Sequence, residues 1–158
     1  MSVSTCLWYV GDAEEAAKFY VSLIPNSKMG RITHYPTDGG AAKAGGVATV
    51  EFELDGQAYF GLNGGEPAPY SHAMSISVVC DTQAEVDRIW NALRDNGGKE
   101  VQCGWITDRW DVRWQIVPRV MYEVLGSSDR AAAQRAFQAM LKMVKLDGDA
   151  IERAIRGE

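Results

Sequence analysis

Two stretches of this chain repeat one helical pattern at a fixed offset, and this repeat constrains the fold more than any other feature. The first covers residues 12–26 and the second residues 82–96. Each begins with a residue suited to capping a helix, has Glu three positions later, and spaces its apolar side chains along one helical face. The shared offset indicates a duplicated unit, and chance agreement between two ordinary amphipathic helices is the alternative.

A strand is predicted before each helix, at residues 4–10 and 72–80. Side chains alternate between the two faces of a strand, which divides these residues into two sets. The first set is mostly large and apolar, and we expect it beneath the helix: Cys6, Trp8, Val10, Ile76, Val78 and Cys80. The second set is smaller or more polar, and we expect it on the opposite face: Thr5, Leu7, Tyr9, Ser75, Ser77 and Val79.

Three further strands are predicted in the first unit, at residues 28–35, 47–54 and 57–63. Asp55 and Gly56 form a strong signal for a two-residue hairpin turn between the last two strands. Residues 36–46 predict a loop, and residues 66–71 a linker. The second unit must fit its remaining strands between residues 99 and 118, where residues 114–117 give the clearest signal.

Helices are predicted in the last forty or so residues. We expect a helical turn at residues 118–125, a helix from Ser128 or Asp129 to about Val144, and a short helix capped by Asp147. The packing face of the longer helix is predicted at these positions: Ala133, Phe137, Met140, Leu141 and Val144. The chain therefore divides into a first unit (1–65), a second unit (72–118) and a helical segment (119–158), with an α+β fold of tandem βαβββ units.

Composition excludes several classes of protein. The chain has 158 residues and a net charge of −5, which fits one domain with a substantial core and gives no basic surface for nucleic acid. No apolar run is long enough to cross a membrane, and no basic region of a secretory signal precedes the first strand. Three cysteines without metal-ligand spacing favour a reduced cytoplasmic protein in which Cys6 and Cys80 are small buried hydrophobic residues.

The tandem βαβββ arrangement resembles the vicinal oxygen chelate superfamily, which includes glyoxalase I, extradiol dioxygenases and bleomycin-resistance proteins. Three motifs resemble its demethylubiquinone-methyltransferase-like family: LWYVGDAEEAAKFYVSLIPNS, TVEFELDGQAYFGLNGG and QCGWITDRWDVRWQIVP. The resemblance implies a cup-shaped sheet in each unit, a small-molecule pocket inside the cup, and a homodimer. The chain has no Gly-rich turn between a strand and a helix, so it predicts no nucleotide-type cofactor.

The resemblance also implies positions for a divalent metal, which active superfamily members hold with His and Glu. In this chain those positions fall on Thr5, Ser75 and Gln115. Hydroxyl and amide groups are poor ligands for a catalytic divalent ion, so we predict a degenerate site with no metal and no cofactor. A slip of one or two residues in the second unit would bring His72 closer; otherwise His72 is a linker histidine at the start of a strand.

Several polar side chains are candidates for contact with a ligand. Arg113 is predicted to share a strand face with Gln115, where it either binds an anion in a bidentate manner or pairs with Asp108 or Asp111. Glu51 is either a general base or a salt-bridged residue of a solvated strand face. The predicted ligand-binding set is Thr5, Leu7, Tyr9, Glu51, Asn63, Ser75, Trp105, Arg113 and Gln115.

Three functions are compatible with this sequence. The leading hypothesis is a small-molecule-binding protein with a degenerate metal site. The alternatives are a metal-dependent enzyme of glyoxalase or dioxygenase type, and a structural or regulatory dimer with a vestigial pocket. A homodimer is expected because open sheets must cover their edges and because the C-terminal helices carry apolar residues in excess.

Overall fold

The computed structural model describes residues 1–40 and 42–158, which form two compact units, Met1–Pro69 and Tyr70–Glu158. Residue 41 belongs to the predicted loop at 36–46 and lies outside the described residues. In the described part of the chain, no helix is both long and apolar enough to cross a membrane.

The first unit is a four-stranded mixed sheet with one helix against it. In chain order its elements are β1 (Thr5–Tyr9), α1 (Ala13–Leu23), β2 (Lys28–His34), β3 (Val47–Leu54) and β4 (Gln57–Asn63). The strand order is β1-β4-β3-β2; β1 runs parallel to β4, and the other neighbours are antiparallel. The predicted hairpin is confirmed, since Leu54 pairs with Gln57 across the two-residue turn.

The second unit repeats this connectivity. Its elements are β5 (Ile76–Cys80), α2 (Gln83–Asp95), β6 (Lys99–Glu100), β7 (Trp105–Thr107) and β8 (Arg113–Pro118). The strand order β5-β8-β7-β6 matches that of the first sheet, again with one parallel pair, β5 and β8. The α+β fold of tandem βαβββ units is therefore confirmed, and the three strands after α2 fit between residues 99 and 118 because two of them are very short.

Three helices follow in the second compact unit: α3 (Arg119–Gly126), α4 (Arg130–Met140) and α5 (Gly148–Arg156). The side chains of Asp129 and Asp147 accept hydrogen bonds from Ala132 N and Ala150 N, so both aspartates cap as predicted. These helices enclose a buried cluster of their own: Met121, Val124, Ala132, Ala133, Ala136, Leu146 and Ile151.

The predicted packing face of α4 is partly wrong. Phe137, Leu141 and Val144 are exposed, and the helix ends at Met140 rather than near Val144. Small side chains occupy the inner face instead, with Ala136 fully buried. Methyl side chains let neighbouring helices approach closely. The alanines therefore indicate the packing face of α4 better than the larger apolar residues do.

The facing of β1 is opposite to the prediction. Leu7 and Tyr9 are each 3% exposed, and Tyr9 Oη lies 3.1 Å from Tyr20 Oη of α1. Cys6 and Trp8, predicted beneath the helix, lie on the other face, and Cys6 is exposed. Thr5, Leu7 and Tyr9 therefore share the face that packs against α1.

The length of one connection explains this reversal. Three residues (10–12) join β1 to α1, whereas two (81–82) join β5 to α2. Because strand side chains alternate, one additional residue moves the whole set to the other face. The fixed offset thus relates the helices but not the strands.

In the second unit the predicted facing of β5 holds, because Ile76 and Cys80 are buried. Burial also raises the pKa of the Cys80 thiol to about 11.

The two helices also differ in how their N-termini are capped. In α2 the predicted capping box is present: Glu85 N donates to Thr82 Oγ1 at 3.2 Å, and Thr82 N donates to Glu85 Oε2 at 3.1 Å. In α1 the side chain of Asp12, predicted to cap, makes no cap hydrogen bond.

Replacing Tyr9 tests the corrected facing. Tyr9→Ala should lower the free energy of unfolding by about 3–5 kcal/mol, because it removes a buried aromatic ring. Tyr9→Phe removes only the hydroxyl contact and should cost about 0.5–1.5 kcal/mol. Urea denaturation followed by tryptophan fluorescence measures both.

The matched control is Val10→Ala, an apolar truncation at the next position, which is 53% exposed. It should change stability by no more than about 0.5 kcal/mol. Equal effects of Tyr9→Ala and Val10→Ala would contradict the packing of Tyr9 against α1.

Candidate functional site

Each sheet has one face turned away from its helix, here called the open face. In the first unit, Val50, Phe52 and Leu54 are buried on the helix face of β3, and the residues between them point the other way. In the second unit, Trp114 and Ile116 are buried on the helix face of β8. Side chains that are not needed for the core therefore accumulate on the open faces.

A groove of about 510 Å³ lies on the open face of the first unit. Small-molecule sites commonly have volumes of about 300–1,000 Å³, so the groove is large enough for a ligand. It combines aromatic side chains with small and charged ones. The lining residues are Ser2, Val3, Ser4, Lys28, Gly30, Thr49, Glu51, Phe52, Glu53, Ala58, Tyr59 and Phe60.

The two carboxylates in this groove are paired with cations of the edge strand β2. Glu51 Oε1 lies 2.8 Å from Arg31 Nη2, and Glu53 Oε2 lies 3.2 Å from Lys28 Nζ. Both glutamate side chains are partly exposed, so these are solvated cross-strand pairs. Of the two interpretations of Glu51, the structure shows the salt-bridged one.

Phe60 is one of the lining residues that the sequence prediction missed, although a signal for it existed. The two-residue turn at Asp55 and Gly56 fixes the hairpin register, which places Phe60 directly opposite Glu51. Directly paired residues share a face of the sheet. Placing Glu51 on the open face should therefore have placed Phe60 there too.

Asn63, predicted at the mouth of a pocket, instead holds the first helix. Its side chain is buried on the helix face, where Oδ1 accepts from Ala13 N at 2.9 Å and Nδ2 donates to Val47 O at 3.0 Å. It supplies the cap that Asp12 does not. Alternation therefore places Leu62 on the open face, although an apolar side chain favours a position beneath the helix.

Two of the predicted metal positions lie side by side on the second sheet. Gln115 Nε2 donates to Ser75 Oγ at 2.7 Å. The third predicted position, Thr5, lies on the helix side of β1 and is not equivalent to Ser75.

Register identifies the equivalent positions in the first unit. β1 pairs with β4 through Tyr9 and Asn63, and β5 pairs with β8 through Cys80 and Pro118. Ser75 lies five residues before Cys80 (80 − 5), and five before Tyr9 is Ser4 (9 − 5). Gln115 lies three residues before Pro118 (118 − 3), and three before Asn63 is Phe60 (63 − 3). Ser4 and Phe60 both line the groove.

Among residues 1–40 and 42–158, no three His, Cys, Asp or Glu side chains are grouped so as to hold a metal ion.

The open face of the second unit carries a more polar cluster. Trp105 lies directly opposite Gln115 across the antiparallel β7–β8 pair. The ring of His72 packs against Trp105 with centroids 5.2 Å apart and the planes tilted by 48°. His72 thus precedes β5, as in the linker interpretation, but it has an aromatic partner.

Arg113 is held at the edge of this cluster. Its Nη1 lies 2.6 Å from Asp111 Oδ1, so Asp111 is its acidic partner. Asp108, the other candidate, is buried and accepts from Trp114 Nε1 at 3.0 Å. The Arg113 side chain is 15% exposed.

The predicted ligand set is therefore divided between faces. Ser75, Trp105, Arg113 and Gln115 lie on the open face of the second unit, and Glu51 lies on that of the first. The remaining members of the set lie on the helix face of the first sheet, where they serve packing and capping: Thr5, Leu7, Tyr9 and Asn63.

Comparison with known proteins identifies relatives. Residues 1–117 match the model of the family described as 3-demethylubiquinone-9 3-methyltransferase. A PhnB protein from Bacillus cereus is 29% identical, with a TM-score of 0.64 over 75% of this chain and 99% of the other. The comparison with curated proteins gives no match.

Two more distant structures share the fold. Protein PA1353 from Pseudomonas aeruginosa is 20% identical, with a TM-score of 0.60 over 75% of this chain and 97% of the other. The fosfomycin resistance protein FosX from Mesorhizobium loti is 14% identical, with a TM-score of 0.55 over 80% of this chain and 98% of the other. Together with the element order, these similarities establish the vicinal oxygen chelate fold.

Proposed function

The chain belongs to the family described as 3-demethylubiquinone-9 3-methyltransferase, and we propose that it binds a small organic molecule on its open sheet faces without a metal ion. The groove of about 510 Å³ on the first sheet carries this proposal. It lies over the ring of Phe60, and charged pairs border it at Glu51 and Glu53. Such a mixture of an aromatic wall and a few polar groups is typical of small-molecule sites.

The metal-free character follows from the residue types at the expected ligand positions. Ser75 and Gln115 are hydrogen-bonded to each other, and their counterparts in the first unit are Ser4 and Phe60. A phenyl ring has no donor atom, and neutral hydroxyl and amide groups bind divalent ions weakly. These residues do not fit a catalytic divalent metal.

Metal analysis tests this point. Purified protein should retain less than a tenth of an equivalent of zinc, nickel, iron or manganese after dialysis, measured by inductively coupled plasma mass spectrometry. One retained equivalent that is lost in His72→Ala would show that a histidine completes a metal site and would favour a glyoxalase- or dioxygenase-type enzyme.

Ligand-observed NMR with a library of small aromatic compounds tests the groove. Compounds that bind the wild-type protein should lose their signal in Ala58→Phe, which fills the groove, and in Phe60→Ala, which removes its aromatic wall. Phe137→Ala is the matched control, since it truncates a partly exposed Phe on α4. Compounds that bind all four proteins equally would contradict the groove as the site.

We also propose a homodimer located in the cytoplasm. The three cysteines, Cys6, Cys80 and Cys103, are free thiols, which is usual in a reducing compartment. The helical segment carries exposed large apolar side chains: Tyr122, Leu125, Phe137, Leu141 and Val144. Covering such a patch by two-fold symmetry is the most frequent arrangement in soluble oligomers.

Light scattering at micromolar concentration tests the assembly. The measured mass should be twice the 17.3 kDa of one chain. Phe137→Glu should reduce it toward the mass of one chain, because a buried carboxylate without a partner opposes association. A wild-type protein with the mass of a monomer would refute the dimer.

A further inference from the structure

The guanidinium of Arg113 is only partly satisfied by its neighbours. Its side chain is 15% exposed, yet among residues 1–40 and 42–158 its one acidic contact is Asp111, whose own side chain is 54% exposed. Nη2 reaches the backbone carbonyl of Tyr70 at 3.4 Å, the long limit of a hydrogen bond. Nε is buried and has no hydrogen-bond partner among the described residues.

This leaves one edge of the guanidinium with only the long contact to the Tyr70 carbonyl. Nη1 is taken by Asp111, so Nε and Nη2 together form the edge that binds a carboxylate with two parallel hydrogen bonds. Leaving a buried donor without an acceptor is unfavourable, and more so for a charged group. A bound anion would satisfy this edge and replace the weak contact with the carbonyl of Tyr70.

The surroundings favour a planar anion. Trp105 and Gln115 lie opposite each other on the neighbouring strands, and Gln115 is two residues from Arg113 on the same face. Trp105 has a planar ring surface that is only partly buried, and aromatic rings stack favourably on such a surface.

One short segment covers these side chains. Between residues 70 and 75, the Tyr70 carbonyl contacts Arg113, the His72 ring packs on Trp105, and the Ser75 hydroxyl accepts from Gln115. These residues precede β5 and belong to no helix or strand. A ligand that binds Nε and Nη2 would therefore displace the contact between Arg113 and the Tyr70 carbonyl.

We propose that the Nε–Nη2 edge of Arg113 binds the carboxylate of a planar aromatic acid, with the ring of that acid placed against Trp105. The inference shares with the proposed function only the use of an open face. It concerns the second sheet, and its test is read on different residues from those of the groove in the first.

Titration of the full-length protein with benzoate, followed by heteronuclear NMR, tests the proposal. In the wild-type protein, benzoate should bind saturably and shift the Arg113 Nε–Hε and Trp105 indole resonances. Arg113→Lys keeps the charge but removes the two N–H donors that bind a carboxylate in a bidentate manner, and it should weaken benzoate binding at least tenfold. Arg119→Lys is the matched control, because Arg119, at the start of α3, pairs with Asp81 instead, and it should leave binding unchanged.

Two further ligands test separately the contributions of the negative charge and of the aromatic ring to binding. Benzamide, which is neutral, should bind at least tenfold more weakly than benzoate, and inorganic phosphate should bind more weakly than benzoate because it has no ring. Phosphate binding more tightly than benzoate would reassign the site to phosphoryl groups and overturn the aromatic part of the proposal.

Several outcomes would refute the site as a whole. They are absence of saturable benzoate binding to the wild-type protein, equal affinities of wild type and Arg113→Lys, and equal binding of benzamide. If Arg113→Lys does not fold, as judged by its NMR spectrum, the wild-type titration still decides: saturable benzoate binding that leaves the Arg113 Nε–Hε resonance unmoved contradicts the proposal.

Discussion

The side-chain amide of Asn63 fixes how the first helix lies on its sheet. Its Oδ1 accepts a hydrogen bond from the backbone N–H of Ala13, which has no acceptor inside the helix. Its Nδ2 donates to the carbonyl of Val47 on β3. Asn63 must therefore be on the helix face at the end of β4. Alternation then assigns every other residue of that strand, including Phe60, which goes to the open face.

Close contact between α1 and β4 depends on the same end of the strand. A Cβ on Gly61 would lie 2.9 Å from Ala13 Cβ, so this position has room only for glycine. Ala13, Ala16 and Ala17 are fully buried where α1 meets the sheet. The volume that small residues leave is filled by aromatic side chains, with Phe52 and Tyr59 stacked at 5.4 Å.

The second unit reaches the same arrangement with different residues. α2 is capped by its own Thr82 and Glu85, and large side chains are fully buried both on this helix, at Trp90, and on the sheet, at Trp114. Because both cores are completed on the helix faces, the open faces differ in chemistry without a cost to the fold. One has a groove with paired carboxylates, and the other has a cation, Arg113, whose buried Nε has no partner among the described residues, on the same face as the ring of Trp105.

The helical segment beyond the family match is attached near that second face. Cys103 N and Gly104 N donate to the carbonyls of Met143 and Val144, both at 2.8 Å, and these bonds hold the turn directly before Trp105. Leu146 is buried beside the same turn, 1% exposed. An extension of the common fold thus stabilises the backbone that presents Trp105 to the open face.

The sequence by itself determined the tandem units, the helices and the β3–β4 hairpin, because apolar periodicity, caps and a two-residue turn act between residues near each other in the chain. It also placed Trp114 and Arg113 on opposite faces of β8, since alternation needs no partner. The tertiary structure alone decided the facing of β1, because a comparison at fixed offset does not detect the additional residue between β1 and α1.

The tertiary structure also decided which polar groups meet. Asn63 finds its helix partner fifty residues away, and Arg113 takes Asp111 because Asp108 is turned inward to Trp114. Both aspartates were compatible with the sequence, and only the path of the turn between β7 and β8 distinguishes them. Hydrogen bonds between distant residues depend on that path, whereas local patterns record only what neighbours along the chain prefer.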